Sequence, residues 1–330
     1  MNNRRKLIVA LGASALSTPF ASLAQQQGKV RRVGFLGYIR RPDSLDSHFI
    51  GAFPRGMREL GYVEGKNLTI EWRFAGGKAN ELPALAAELV QLKLDVIVTQ
   101  GPVPTIAAQK ATTAIPIVMA NVGDPVSQGF VKSLAHPGGN ITGLSTMIGD
   151  LILKHLEMLR SMVPKLSRVA VLVNPSNSTV AVALRNIQAA VQGTDATILV
   201  FEARTPQEID SAFSEMHRKN AGAVIVLQDA VFLQQNRQIT ELAMKHRLPS
   251  ISGSRQYVEA GGLMGYGTNL ADGYHRAATY VDKIFKGAKP GDLPVEQPTK
   301  FELFINGKTA KALGLKIPQS LLITAEKIIE

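Results

Sequence analysis

The most informative stretch of this sequence is Asp95-Val96-Ile97-Val98-Thr99-Gln100-Gly101. Its three consecutive β-branched residues leave no polar face, which predicts a strand buried on both sides, as in a parallel sheet covered by helices. The strand then ends in polar residues and a glycine. Ligands of open parallel sheets bind at the carboxyl ends of the strands, where loops and helix N-termini converge. We therefore expect Thr99, Gln100 and Gly101 to belong to a ligand site.

The pattern occurs again at 223–229, Ala-Val-Ile-Val-Leu-Gln-Asp, which also ends in polar residues. Two neighbouring strands are repeated as well, since 32–38 resembles 168–174 and 115–118 resembles 248–251. The offset is 128 residues for the first pair, 136 for the pair at 32–38 and 133 for the pair at 115–118. Buried strands resemble one another by chance, but three matches in one order indicate a supersecondary plan that is used twice with loop changes.

Strands and amphipathic helices alternate along both halves, which predicts an α/β fold with doubly wound parallel sheets. The chain after residue 285 has no counterpart in the first half: a strand-like segment at 296–306 is followed by a helix at 307–313. We expect this tail to cross back onto the first lobe. The predicted domains are a first, discontinuous lobe of residues 29–146 with 286–330 and a second lobe of residues 147–285.

The composition is that of a globular protein, with 45% hydrophobic and 19% charged residues in 330. The net charge is +11, of which three positive charges lie at Arg4, Arg5 and Lys6. The basic residues are scattered and form no run interleaved with aromatics, so the charge does not predict nucleic-acid binding.

The segment 1–24 has the pattern of a secretory signal peptide. A basic start precedes the apolar run 7–16, and Ser22-Leu23-Ala24 is a small-residue cleavage site. A membrane anchor is the alternative, but Ser14 and Pro19 interrupt a run that is already short. The arginine pair also permits the twin-arginine export route.

The sequence contains no cysteine. An exported chain of this kind has no disulfides and depends on core burial for its stability. It also lacks the cysteine to which bacterial lipoproteins attach their lipid. These features predict a free periplasmic protein.

Several motifs resemble the substrate-binding proteins of ABC transporters, in particular the family that includes tryptophan- and tyrosine-binding members. The matching stretches cover almost all of the chain after the leader: 56–67 (Gly-Met-Arg-Glu-Leu-Gly-Tyr-Val-Glu-Gly-Lys-Asn), 115–118 with 123–126, 137–143, 298–303 and 308–315. One stretch departs from the family, because Gly101-Pro102-Val103-Pro104 stands where many relatives have Gly-Thr-Pro-Ala.

The resemblance implies a type I periplasmic binding-protein fold, in which two lobes close over a ligand like a Venus flytrap. It also implies delivery of that ligand to the membrane permease of an ABC importer, no cofactor, and a monomer without nucleic-acid partners. Closure requires polar groups from both lobes, so that a bound ligand bridges them and shifts the open form to the closed one.

The candidate ligand contacts are the polar residues at predicted strand ends. They are Tyr38, Thr99, Gln100, Gly101 and Asp124 in the first lobe, and Asn174, Asn177, Asp229, Ser254, Arg255 and Tyr266 in the second. Helix N-termini suit a carboxylate, an aspartate suits an ammonium group, and a tyrosine (Tyr38, Tyr257 or Tyr266) suits an aromatic wall. An amino acid, or another carboxylate-bearing compound, would use these features.

Each polar candidate also has a structural alternative. Asp229 is equally suited to capping the following helix, and Asp124, which precedes a proline, to a turn. Asn174 also precedes a proline and favours a turn. Tyr266 would equally suit the core, and Arg255 a solvated surface.

Catalytic and metal-binding motifs are absent from the sequence. The six histidines have no metal-ligand spacing, there is no Gly-x-Ser-x-Gly stretch, and the Gly307-Lys308-Thr309 segment lacks the first glycine of a phosphate loop. An exported α/β hydrolase is therefore the weaker alternative, beside a ligand-sensing module for a membrane receptor.

Overall fold

The computed structural model describes residues 30–177 and 179–330, so the predicted signal peptide lies outside the described residues. The strands are β1 Arg31–Gly37, β2 Leu68–Phe74, β3 Val96–Gln100, β4 Ile117–Val122, β5 Ile141–Ser145, β6 Arg168–Val173, β7 Thr197–Glu202, β8 Ala223–Val226, β9 Ser250–Ser252, β10 Met264–Gly267, β11 Glu302–Asn306 and β12 Lys327–Ile329.

The helices are α1 Ala52–Glu59, α2 Leu82–Gln91, α3 Pro102–Ala111, α4 Ile148–Met162, α5 Val180–Val191, α6 Pro206–Arg218, α7 Ala230–Gln234, α8 Asn236–Lys245, α9 Arg255–Glu259, α10 Leu270–Phe285, α11 Gly307–Leu313 and α12 Gln319–Thr324. Short 3-10 turns lie at Phe49–Gly51, Ala79–Glu81 and Pro290–Asp292. Only Gln235 separates α7 from α8.

The two sheets follow one plan, as the repeated sequence pattern predicts. The first has the order β2-β1-β3-β4-β5, and the second contains β7-β6-β8-β9-β10 in the equivalent order. All of these neighbours pair in parallel. The predicted α/β fold of doubly wound parallel sheets is confirmed.

Both faces of each sheet are covered, which explains the continuous apolar runs in the central strands. In β3, Val96 and Val98 pack into one core cluster and Ile97 into the cluster on the opposite face. This follows from the alternation of successive side chains across a strand. The second sheet is likewise enclosed between two clusters, with Val171 in one and Leu172 in the other.

The C-terminal tail does not pack where the sequence predicted. β11 pairs antiparallel with β10 and parallel with β12, so residues 302–329 extend the second sheet. The side chains of Leu303 and Ile305 are buried in the core of that lobe. The expectation that 286–330 completes the first lobe is therefore wrong for the tail.

The first lobe is nevertheless discontinuous, because α10 packs on it. Tyr274 and Ala277 are buried with Phe53 of α1 and Phe35 of β1. The segment after α10 stays with this lobe, since Thr142 donates a hydrogen bond to the Leu293 carbonyl at 2.7 Å. The chain thus passes between the lobes after β5, before α10 and before β11, which places three connections at the hinge.

Candidate functional site

A cavity lies between the carboxyl ends of the two sheets. It contains about 610 Å³ of space, including the part open to solvent. Residues that line it come from both lobes: Tyr38, Phe49, Gln100, Gly101, Pro102, Val103, Pro104 and Asn121, with Leu270 and Tyr274 of α10, face Asn177, Thr179, Gln228, Asp229, Ala230 and Leu233. The cavity is therefore at the position that strand ends predict for a ligand.

Gln100 organises the first-lobe wall. Because β1 and β3 are adjacent, with Leu36 opposite Thr99, the chain after each strand emerges at the same edge. The Gln100 side-chain oxygen accepts hydrogen bonds from the backbone N–H of Tyr38 at 3.0 Å and of Ile39 at 3.3 Å. Gln100 is buried, so this amide fixes the loop that carries the Tyr38 ring.

Two further aromatic side chains line the same cavity. The rings of Phe49 and Tyr274 lie 5.6 Å apart, and Tyr274 is fully buried. Burial raises the pKa of Tyr274, and its hydroxyl hydrogen-bonds Asn121 and Gln100. These contacts join α10 to the ends of β3 and β4 and give the first lobe an apolar, aromatic wall.

The second lobe contributes a buried carboxylate. Oδ1 of Asp229 accepts hydrogen bonds from Asn174 Nδ2 at 3.1 Å and from the Val231 N–H at 2.8 Å, and Oδ2 accepts one from Asn177 Nδ2 at 3.0 Å. Asp229 is 8% exposed. Burial raises its pKa, whereas the hydrogen bonds lower it. Asp229 therefore both caps α7, through the Val231 N–H, and lines the cavity.

The charge on Asp229 acts across the cleft. Burial raises the pKa of the Tyr38 hydroxyl, and the nearby Asp229 carboxylate raises it further. Ala230 and Val231, which follow Asp229, pack against the apolar core of the first lobe. The two lobes are thus in contact at the cavity, as in a closed cleft.

The cavity contains no counter-charge for Asp229 among the described residues. Its described lining includes no lysine, arginine or histidine. The groups that act on the carboxylate are neutral amides and backbone N–H groups. No set of three or more His, Cys, Asp or Glu side chains within 30–177 and 179–330 is placed to hold a metal ion.

The start of α3 is unusual. Gly101 is its N-cap with φ 71°, a left-handed conformation that suits glycine. The first and third helical residues are Pro102 and Pro104, which have no N–H. The Gly101 N–H already donates to the Ala120 carbonyl at 2.9 Å. Val103, which lines the cavity, is therefore the one residue among the first three of α3 that keeps an N–H.

Five of the predicted contacts line this cavity: Tyr38, Gln100, Gly101, Asn177 and Asp229. Asn174 supports the site from behind through its bond to Asp229. Thr99 is fully buried and shares a 2.7 Å hydrogen bond with Thr105 inside α3. Asp124 accepts the Ser127 N–H at 3.1 Å in a turn and lines a separate depression.

The remaining predicted contacts lie away from the cavity. Ser254 caps α9 by accepting the Tyr257 N–H, and Tyr257 is fully buried in the second-lobe core. Arg255 pairs with Glu259 at 2.7 Å on the surface. Tyr266 stacks on Phe301 with ring centroids 5.9 Å apart.

Sequence patterns did not indicate Phe49, Asn121 or Tyr274. Phe49 and Tyr274 occupy helical or turn positions, where apolar spacing predicts core packing. Asn121 has φ 58°, which asparagine tolerates better than most residues. An asparagine at the end of a buried strand was the one available signal for this residue.

Two α/β lobes joined by three connections, with a cavity lined from both sides, define a two-lobed solute-binding protein. The chain belongs to the family described as ABC transporter substrate binding protein, whose family model matches residues 38–329. The resemblance found in the sequence motifs is confirmed. Proteins of this family bind the substrates of ABC transporters.

The individual relatives described next share about a quarter of their residues with this chain. The chain is 27% identical to a tyrosine-binding protein of Clostridioides difficile over 87% of this chain and 82% of the relative. A conserved domain protein from Vibrio cholerae has a TM-score of 0.84 at 26% identity, covering 91% of this chain and 100% of the other. An ABC domain in complex with L-Trp from Streptococcus pneumonia has a TM-score of 0.82 at 25% identity, covering 91% and 99%.

Proposed function

We propose that this protein captures a small organic ligand, an amino acid or a related carboxylate-bearing compound, in the cavity between its lobes. It then delivers the ligand to the permease subunits of an ABC importer. The observation that carries the proposal is Asp229, a buried carboxylate without a cationic partner among the described residues, facing aromatic walls. An ammonium group would supply the missing positive charge, because a buried charge is costly unless it is paired.

The relatives support an amino-acid ligand. One is named for binding tyrosine, and another was solved with L-Trp. Tyr38, Phe49 and Tyr274 line the cavity and would contact an aromatic side chain of the ligand. Binding would join Asp229 of the second lobe to the first-lobe wall and so stabilise the closed form.

We place the working form in the periplasm, as a monomer released from the signal peptide 1–24. No helix within 30–177 and 179–330 combines the length and apolarity needed to cross a membrane. The family and the leader-like N-terminal pattern support this location.

A thermal-shift screen tests ligand capture. The chain after residue 24, refolded to remove bound ligand, is heated with amino acids, carboxylates, aromatic acids and nucleosides. A ligand at 100 times its Kd adds about 2.7 kcal/mol of stability, which raises Tm by several degrees. Absence of any saturable shift would contradict the proposal, and turnover of a compound would favour the hydrolase alternative.

Delivery is tested by uptake. Deleting the gene should abolish uptake of the labelled ligand by cells, and restoring it should recover uptake. Binding without any change in uptake would favour the sensing module over the importer component.

A further inference from the structure

Val231 contacts the apolar cores of both lobes. It is the second residue of α7, and its half-buried side chain packs against the second-lobe cluster that contains Phe232. The same side chain packs against the first-lobe cluster that contains Tyr38. The described lining of the cavity does not include Val231. Val231 therefore joins the two lobes beside the cavity and lies outside the ligand's space.

The turn that carries Val231 is fixed by Asp229. Oδ1 of this carboxylate accepts the Val231 N–H at 2.8 Å, and Asn174 and Asn177 hold the carboxylate itself at 3.1 and 3.0 Å. Between the two residues, Ala230 lines the cavity and also packs on the first-lobe core. A cavity carboxylate, a cavity wall and an inter-lobe contact thus follow one another on a single short turn. Ionic pairing at Asp229 and apolar contact at Val231 are expected to form together when the lobes close.

The contact between Val231 and the first lobe depends on closure of the cleft. When the lobes rotate apart, α7 separates from the first-lobe core, and the apolar surface that they share returns to water. Burial of that surface lowers the free energy of the closed form in proportion to its area. Because the contact involves no ligand atom, it favours closure in the free protein as well as in the complex.

We propose that Val231 is an inter-lobe clasp, a residue that stabilises the closed form independently of the ligand and so sets the closed fraction of the free protein. Its effect on affinity rests on the proposed function, whereas its effect on closure does not. A ligand that binds the closed form has an apparent Kd equal to its intrinsic Kd divided by the closed fraction. Weakening the clasp therefore raises the Kd of every ligand by one common factor, unlike the loss of a ligand contact.

Distance measurements on the free protein test closure. The sequence has no cysteine, so Gln91→Cys in α2 and Ser214→Cys in α6 allow one spin label to be attached at an exposed site on each lobe. These helices follow β2 and β7, the edge strands farthest from the connections between the lobes, so the distance between the labels lengthens as the cleft opens. In Val231→Ala, the population with the shorter distance should fall about three- to tenfold, because two buried methyl groups are removed. Equal populations in variant and wild type would overturn the clasp.

Val191→Ala is the matched control. Val191 is also half-buried, and it packs against the second-lobe cluster that contains Ile187. The same two methyl groups are removed, so Tm should fall, while the distribution of distances should stay that of the wild type. An equal shift of the distribution in Val191→Ala would show a general loss of stability and would also overturn the clasp.

Titrations with L-tryptophan, L-tyrosine and L-phenylalanine test the common factor. Val231→Ala should raise each Kd by the factor by which the closed fraction falls, about three- to tenfold. Unchanged Kd values, or factors that differ between the ligands, would contradict the clasp. If none of the three binds, the compound that gives a saturable thermal shift replaces them. If no compound does, ligand capture is overturned, and the distance measurement still decides whether Val231 holds the lobes together.

Discussion

The side-chain oxygen of Gln100 lies 3.0 Å from the backbone nitrogen of Tyr38 and accepts its hydrogen. The same oxygen accepts the Ile39 N–H, so one amide holds the loop after β1 to the end of β3. Both loop residues are buried. Gln100 is thus a positioning residue for the Tyr38 ring.

Gln100→Ala should lower both stability and affinity. It leaves two buried N–H groups without a partner, at about 1–3 kcal/mol each, and frees the loop that carries Tyr38. Urea denaturation should show a loss of at least about 2 kcal/mol, and titration a weaker ligand. Gln109→Ala is the control, because Gln109 bonds the Gly129 carbonyl on the surface. An unchanged unfolding free energy would contradict the role of Gln100.

Gly273 is a residue of α10, and its missing side chain leaves room for the side chain of Asn121 against the helix. A Cβ at position 273 would overlap the Asn121 side-chain oxygen, and Asn121 lines the cavity. Gly273→Ala should therefore weaken ligand binding severalfold, while the helix-propensity gain of about 1 kcal/mol offsets part of the strain.

A double-mutant cycle isolates this contact. In an Asn121→Gly background, which keeps the left-handed backbone at 121, Gly273→Ala should become stabilising because nothing is displaced. Additive effects of the two substitutions would show that the side chains do not interact.

Ligand binding should weaken on acidification because Asp229 must be ionised to pair with an ammonium group. Burial raises its pKa above the ordinary value of 3.8, so protonation begins at a higher pH than for an exposed aspartate. Without ligand, the stability of the fold depends on pH in the opposite direction. The raised pKa of Asp229 favours folding at acid pH, and this contribution is lost as pH rises through the raised pKa.

Titrations of a bound amino acid from pH 7 downward measure the effect. Wild-type affinity should fall with pH, and Asp229→Asn should bind weakly at every pH with a flat profile. Its Tm reports whether the fold is retained. A wild-type affinity independent of pH would rule out Asp229 as the ionic partner.

His155 predicts a separate acid dependence of stability. This residue of α4 is fully buried, and its Nε2 donates to the Tyr266 carbonyl at 2.6 Å. Burial lowers its pKa from 6.5 to about 4. The unfolded chain binds a proton at His155 that the folded chain does not bind. Stability is therefore lost as pH falls from 6.5 towards 4, by at most about 3 kcal/mol.

His155→Gln should remove this part of the pH profile. The measurement is the unfolding free energy by urea at pH 7 and pH 5, where the wild type should lose more than the variant. Since Asp229 contributes with the opposite sign, both comparisons are repeated in the Asp229→Asn background. Parallel losses in wild type and variant would contradict the assignment.

The sheets were predictable because buried parallel strands have a distinctive composition. Val96-Ile97-Val98 lies in β3, the central strand of the first sheet, and its repeat at 224–226 lies in β8, an interior strand of the second. The partner of β11 was not predictable, because an alternating strand shows which of its faces is buried but not which sheet edge it joins. Likewise, the amphipathic pattern of α10 predicts a helix and leaves open the lobe it covers.

The candidate site was predictable only in part. Polar residues at strand ends, such as Gln100 and Asp229, follow from the fold class. Phe49 and Tyr274 reach the cavity from a turn and a helix, and their position depends on how those elements pack. Ser254 and Arg255 also follow a strand, but β9 lies further from the cavity than β8, and its polar end serves a cap and a surface ion pair.

The late position of α10 and of strands β11 and β12 governs how the chain completes its folding. A nascent chain emerges from its N-terminus, so the first five strands are available early. One of their faces remains only partly covered, by α1, until residues 270–285 arrive, and the second sheet lacks its last two strands until the final thirty residues do. Truncation after residue 285 should therefore leave only the second half accessible to proteases and chaperones, whereas truncation before residue 270 should leave both halves accessible.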